Sequence, residues 1–160
     1  MIKIWLENKI NEASIIHMDL SKIDYSALSD VYYFALDNRF MTEDESTNKV
    51  ILNIVQLLNC WCDAIRFFKK DEIIFLPFDY SDQYIGCLRV KSLNNEEIIV
   101  DYGWTTKYEG WEICPSQFQK FKINNSDYKR DTDSFQCNKN EFYENIIFSI
   151  NQINKTPRWD

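Results

Sequence analysis

Glycine and proline are scarce in this 160-residue chain, three of each. Loops that cradle phosphate need glycine for tight turns and close backbone approach, so Rossmann-type and P-loop nucleotide sites are not expected. Histidine occurs once, as His17 in the apolar setting "IIHMD". A His-assisted Ser or Cys nucleophile needs that base within hydrogen-bond reach, and one histidine flanked by apolar residues reads more simply as a partly buried strand residue. The five cysteines, Cys60, Cys62, Cys87, Cys114 and Cys137, form no CxxC pair and lie far from His17 in sequence. They suit neither a zinc site nor a disulfide framework, and are expected as small reduced core residues. The opening "MIKIWLENKINEAS" has no basic segment followed by an apolar run and a cleavage site, and no apolar stretch is expected to reach membrane-spanning length. The expectation is a cytoplasmic protein without metal or cofactor.

Aromatic residues are abundant, 16% of the chain within a 45% hydrophobic share. That favours a sheet-rich fold over disorder, and the length suits one domain spanning 1–160. The net charge is −7, and it is unevenly spread. Residues 71–112 hold nine acids against three bases, a local −6, while residues 113–160 are close to balanced. Such a surface repels phosphate backbones, whose binding depends on Lys and Arg contacts, and attracts basic partners. It also serves solubility.

Periodicity places the elements. "IKIWLEN" alternates Ile2, Ile4 and Leu6 against Lys3, Trp5 and Glu7, a half-buried strand, and "SIIHM" offers a hairpin partner. "DVYYFALDN" (30–38) reads as a strand, with a helix from Tyr25 as the alternative. From about Glu43 to Phe68, Lys49, Asn53, Gln56, Asn59, Asp63, Arg66 and Lys70 define one polar face. Ile51, Ile54, Val55, Leu58, Trp61, Cys62, Ile65 and Phe68 define an apolar one, so this is a core-packed helix. Thr42 with Glu45 matches a capping box. "IIFLPF", "YIGCLRV", "EIIVDYGW" and "GWEIC" (110–114) then read as four strands of a meander, and residues 120–139 as a loop. From Asn140, Phe142, Ile146, Ile150 and Ile153 share a helical face, with Pro157 as the stop. The expected class is α+β: an antiparallel β-sheet meander packed against one long central helix and a C-terminal helix.

Two constellations carry candidate chemistry, both near "PFDYSDQYIGCLRV" (77–90). Asp79 and Asp82, with Asp101 and Glu109 on neighbouring runs, are a possible acid/base pair for a small hydrolase or transferase; Asp and Ser are equally what a turn requires. Tyr80, Tyr84, Tyr102, Trp104, Tyr108 and Trp111 crowd strand ends and turns beside Asp79, Asp82, Glu109 and Glu112. Tyr and Trp anchor protein interfaces, and carboxylates around them speed association with a cationic partner. Tyr80 and Tyr108 are expected to be exposed on turns; Trp104 and Trp111 suit core or surface.

"FLPFDYSDQYIGCLRV" followed by "DYGWTTKYEGWEICPS", together about residues 75–116, is similar to a segment of small bacterial proteins. In overall style the chain resembles immunity proteins of contact-dependent inhibition and related polymorphic toxin systems. The resemblance implies a small, acidic, cytoplasmic α+β protein that binds an injected toxin domain and blocks it without turnover; the aromatic richness permits a homodimer as well as a monomer. It implies no catalytic residue; the acidic balance argues against a nucleic-acid partner, and the expected lack of a membrane-length apolar run against a membrane partner. A nuclease toxin has a basic groove, which an acidic inhibitor suits. The acidic and aromatic constellation around these turns supplies the expected partner-binding residues: Asp79, Tyr80, Asp82, Tyr84, Tyr108, Glu109 and Glu112.

Overall fold

The alternating N-terminal run forms strand β1 (Ile2–Glu7), with Ile2, Ile4 and Leu6 inward. It pairs antiparallel with β2 (Ile15–Leu20), and β2 with β3 (Tyr25–Asp30), giving a three-stranded sheet. The computed structural model describes residues 1–7, 14–37 and 47–156. The expected Thr42–Glu45 capping box and the Pro157 stop lie outside the described residues.

A second sheet follows the long helix. Strands β4 (Ile73–Tyr80), β5 (Ile85–Ser92) and β6 (Glu97–Thr105) form an antiparallel meander. The short β7 (Lys129–Arg130) and β8 (Phe135–Asn138) both pair with β6, making five strands. Between the sheets in sequence come α1 (Tyr32–Leu36) and α2 (Thr47–Phe67); α3 (Lys139–Ile153) ends the described chain. The α+β class is therefore as expected: antiparallel sheets with a long helix and a C-terminal helix.

Both long helices bury apolar stripes. On α2, Ile51, Ile54, Leu58, Trp61 and Ile65 are buried; on α3, Phe142, Ile146, Ile150 and Ile153 are, the i, i+4 spacing of a core-facing helix. Asn138 begins α3 as its side chain accepts from the backbone N–H groups of Asn140 and Glu141. Over Lys49–Phe67, α2 is by length and composition apolar enough to cross a membrane, contrary to the sequence expectation, yet half of that stretch is buried inside the protein.

Four local expectations are corrected. The 30–38 run holds the one-turn helix α1 rather than a strand; the strand lies just before it, in "YSALSD". α1 ends where Asn53 of α2 donates its side-chain amide to the carbonyls of Phe34 (2.7 Å) and Asp37 (3.1 Å). Asn53 is consequently buried rather than on a solvated face, and Lys49, one turn earlier, is buried as well. "GWEIC" is a turn, not a strand: Glu109 and Glu112 bond each other's backbone locally, and Gly110 donates to the Ser81 carbonyl (2.7 Å), so the segment's polar groups need no ladder. Residues 120–139, expected as a loop, contain β7 and β8. Of the cysteines, Cys62, Cys87 and Cys137 are buried and Cys60 and Cys114 half-buried, and none of the five is in a disulfide.

The outer edge of β1 is covered by α3. The Ile4 N–H donates to Ser149 Oγ at 2.9 Å in a buried setting, which satisfies an edge donor that would otherwise be orphaned. Ser149→Ala is expected to cost about 1–3 kcal/mol of stability, whereas Phe148→Ala, one residue away and exposed, should stay within about 0.5 kcal/mol. Urea denaturation of the two variants checks the contrast.

Candidate functional site

β4 carries Pro77, and its register against β5 shifts between Pro77 and Asp79. A proline is tolerated here because β4 is an edge strand and can do without one ladder donor. The shift is a β-bulge, in which one extra residue reverses which side chains face which way. Pro77 pairs with Cys87, but Asp79 pairs with Gly86 and Tyr80 with Ile85. Gly86 in turn pairs with Trp104 on β6. Asp79, Gly86 and Trp104 thus form one cross-strand row whose middle member has no side chain.

Tyr102 uses that gap. A Cβ added at Gly86 would overlap the Tyr102 hydroxyl and come within 3.0 Å of Asp79 Cβ. Glycine here lets a phenol ring lie flat on the strand beside Asp79, a close approach no other residue permits. Alongside, β3 of the first sheet runs next to β4 without joining its ladder. The result is a cleft of about 450 Å³, lined by Tyr25, Ser26, Ala27, Leu28, Asp79, Tyr84, Tyr102, Trp104 and Asp131. The Tyr25 and Tyr102 rings meet at 5.3 Å, and Tyr84 and Trp104 at 6.2 Å.

The electrostatics of the cleft are unusual for its sheet. Asp101, buried on β6, is matched by the Arg89 guanidinium (2.7 Å) and the Tyr128 hydroxyl (2.7 Å). Asp79 has no such cation among the described residues. Burial pushes its carboxyl above the usual range, hydrogen bonds from Tyr84 and Ser29 pull it partly back, and the Asp30 charge raises it further. The Asp79 charge in turn raises Tyr84. Burial, with Asp131 adding to it, pushes Tyr25 up to about 12; its hydroxyl donates to Asp131 at 3.3 Å. The other residues lining the cleft bring no basic side chain into it; Lys129 lies over the Trp104 ring at 4.5 Å.

The remaining residues singled out in the sequence are divided. Asp82 is exposed on the β4–β5 turn and accepts from the Tyr33 hydroxyl; it does not line the cleft, so Asp79 and Asp82 are not brought to one centre. Tyr80 is a correction: only 2% exposed, it ends β4 rather than lying on the turn, and its ring packs edge-on to Phe34 at 5.6 Å. Tyr108 is also not free. It packs on Phe121 and donates to the Lys122 carbonyl (3.2 Å), fastening the 106–114 turn.

Glu109 and Glu112 lie on that turn with Trp111, which is 66% exposed and donates its indole N–H to Glu109. Gly110 joins this turn to Ser81, and the Tyr33 ring packs against Gly110. Asp82, Glu109, Glu112, Trp111 and the exposed Tyr32 therefore cluster at one end of the protein. His17 stacks on Trp5 at 4.8 Å and bonds Glu7 at 2.7 Å on the outer side of the first sheet.

Sequence reasoning missed Tyr25, Leu28 and Asp131. The alternation of "YSALSD" could have marked β3; the polar run around Asp131 carries no signal. Among the described residues no group of three or more His, Cys, Asp or Glu is arranged to hold a metal ion.

Two outcomes follow from this geometry. A carboxyl whose folded pKa lies above its unfolded value of 3.8 is easier to keep protonated in the folded chain, so its contribution to stability is full below that value and is lost as pH rises through the folded pKa. Asp79→Asn is therefore expected to raise the urea midpoint at pH 7, with the gain shrinking towards pH 3; denaturation across that range reads the trend. Gly86→Ala is expected to cost about 1–3 kcal/mol through overpacking. Adding Tyr102→Phe should recover part of that loss, a coupling read by a double-mutant cycle.

No protein-family model, curated protein or solved structure matches the chain.

Proposed function

We propose that this chain is a stoichiometric inhibitor, an immunity protein that binds a basic toxin domain and occludes it. The observation that carries the reading is Asp79: a half-buried carboxylate held among Tyr25, Tyr84, Tyr102 and Trp104 with no cation of its own among the described residues. A protein that keeps such a group accepts a cost in stability, and the cost is offset when a positive partner arrives. The acidic and aromatic end formed by Asp82, Glu109, Glu112, Trp111 and Tyr32 extends the same chemistry across the surface. Exposed aromatics supply desolvated contact area, and the carboxylates around them speed encounter with a basic groove.

A nuclease is the toxin class this surface suits, because a groove built for nucleic acid is positive before its substrate arrives. Occlusion needs no covalent chemistry, and the reading includes none. The proposed site of action is the cytoplasm, where such a substrate lies. The alternative, a hydrolase or transferase built on Asp79 and Asp82, would need both carboxyls at one reacting centre, and only Asp79 lines the cleft.

Co-expression with the C-terminal domain of a large secreted protein encoded beside this chain tests the proposal by growth rescue. Rescue is expected, and continued growth arrest with both proteins folded would refute the pairing. Reversing Asp82 and Glu112 to Lys should lower affinity for that domain about three- to tenfold, chiefly through slower association, and flatten its salt dependence. Calorimetry and stopped-flow mixing at two ionic strengths measure both.

A further inference from the structure

We infer that the cleft between β3 and the second sheet receives an arginine side chain of the partner protein, its guanidinium held by the carboxylates of Asp79 and Asp131 between tyrosine faces. This rests on the inhibitor reading and specifies its central contact.

Three independent features converge on that occupant. Both carboxylates line one cleft, and neither has a cation within ion-pair distance among the described residues. Tyr25 and Tyr84 line the cleft with them: the Tyr25 hydroxyl donates to Asp131, and Tyr84 lies near enough to Asp79 for each to shift the other's titration. The Tyr102 hydroxyl, on a side chain only 6% exposed, lies against Gly86 beside Asp79, and no described residue bonds it. A cleft that sets aromatic faces beside unpaired carboxylates and a spare hydroxyl suits a flat, multi-donor cation.

Guanidinium fits these features better than ammonium. It is planar, stacks on aromatic rings, stays charged and presents five donors in a fixed fork, whereas lysine offers a compact point charge that is more strongly hydrated. The same sheet repeats the arrangement internally. Arg89 lies with its guanidinium 5.3 Å from the Tyr128 ring centre while bonding Asp101. Asp79 has the carboxylate and the rings of that trio but lacks the arginine. Leu28 and Tyr84 are exposed at the rim, where they would contact the backbone that carries the incoming side chain. Lys129 lies on the Trp104 ring, while Tyr84, 37% exposed, presents its ring at the mouth of the cleft.

The test uses the purified full chain and three probes: N-acetyl-arginine amide, its lysine counterpart, and the neutral isostere N-acetyl-citrulline amide. Titration is followed by ¹H–¹⁵N correlation spectra, reading the backbone amides of Asp79, Tyr84 and Asp131 and the indole of Trp104. The arginine probe should shift these signals together, saturating with a Kd in the millimolar range, about −4 kcal/mol. Lysine should bind at least threefold more weakly and citrulline not measurably. Asp79→Asn and Asp131→Asn, each verified by an otherwise unchanged spectrum, should each weaken the arginine response fivefold or more.

Equal shifts from citrulline would overturn the role of charge, and equal affinity for lysine the choice of guanidinium. Shifts scattered over the acidic surface, or none at the cleft, would overturn the site. Growth rescue by the inhibitor would be untouched by any of these results, since it reads the whole interface, so the two readings fail separately.

Discussion

A β-bulge between Pro77 and Asp79 governs which side of the second sheet carries negative charge. Strand side chains alternate with a period of two, so one extra residue reverses the facing of everything beyond it until the strand ends. Here it sets Asp79 opposite Gly86, in the cleft, and Tyr80 opposite Ile85, in the core. Without the register shift Asp79 would pair with Ile85, inside the apolar packing, and Phe78 would stand opposite Gly86 in the row that the cleft needs open.

Gly86 makes the displaced carboxylate usable. Any side chain at the middle of the Asp79–Gly86–Trp104 row would fill the space that Tyr102 now occupies and close the depression between the two sheets. Gly103 performs the matching role beside Asp101, letting the Tyr128 ring lie against the strand so that its hydroxyl reaches the carboxylate. Two of the three glycines therefore each admit a tyrosine next to an aspartate on β6 or its neighbours. The difference lies in the cation: Asp101 is neutralised by Arg89 within the fold, and Asp79 is left with hydroxyl donors alone. One pair is a structural element; the other has the form of a half-completed contact, the feature on which the proposed binding role rests.

Much of the framework was legible because it depends on local periodicity. The stripe Phe142, Ile146, Ile150 and Ile153 marked α3, the alternation of "IKIWLEN" marked β1, and closely spaced β-rich runs marked the meander. Features that depend on a distant partner were not legible. Asn53 and Lys49 look like members of a solvated face until α1 is seen folded over that part of α2, where Asn53 closes the helix. "GWEIC" has strand composition but spends its hydrogen bonds within its own turn and on Ser81. β8 is short and polar at alternate positions, and exists because β6 offers it an edge.

The candidate site divides along the same line. Composition and order alone determined that this stretch would be acidic and aromatic, that Asp79 and Tyr84 would flank a strand junction, and that the chain would fold as an α+β protein with two long helices. Tertiary structure decided that Tyr80 and Tyr108 would be committed to packing, that Asp79 and Asp82 would part company, and that Tyr25, Leu28 and Asp131 from distant segments would complete the cleft. The physical reason is that charge and hydrophobicity are properties of residues, whereas facing depends on register, and register here turns on one inserted residue and on two sheets that meet without pairing.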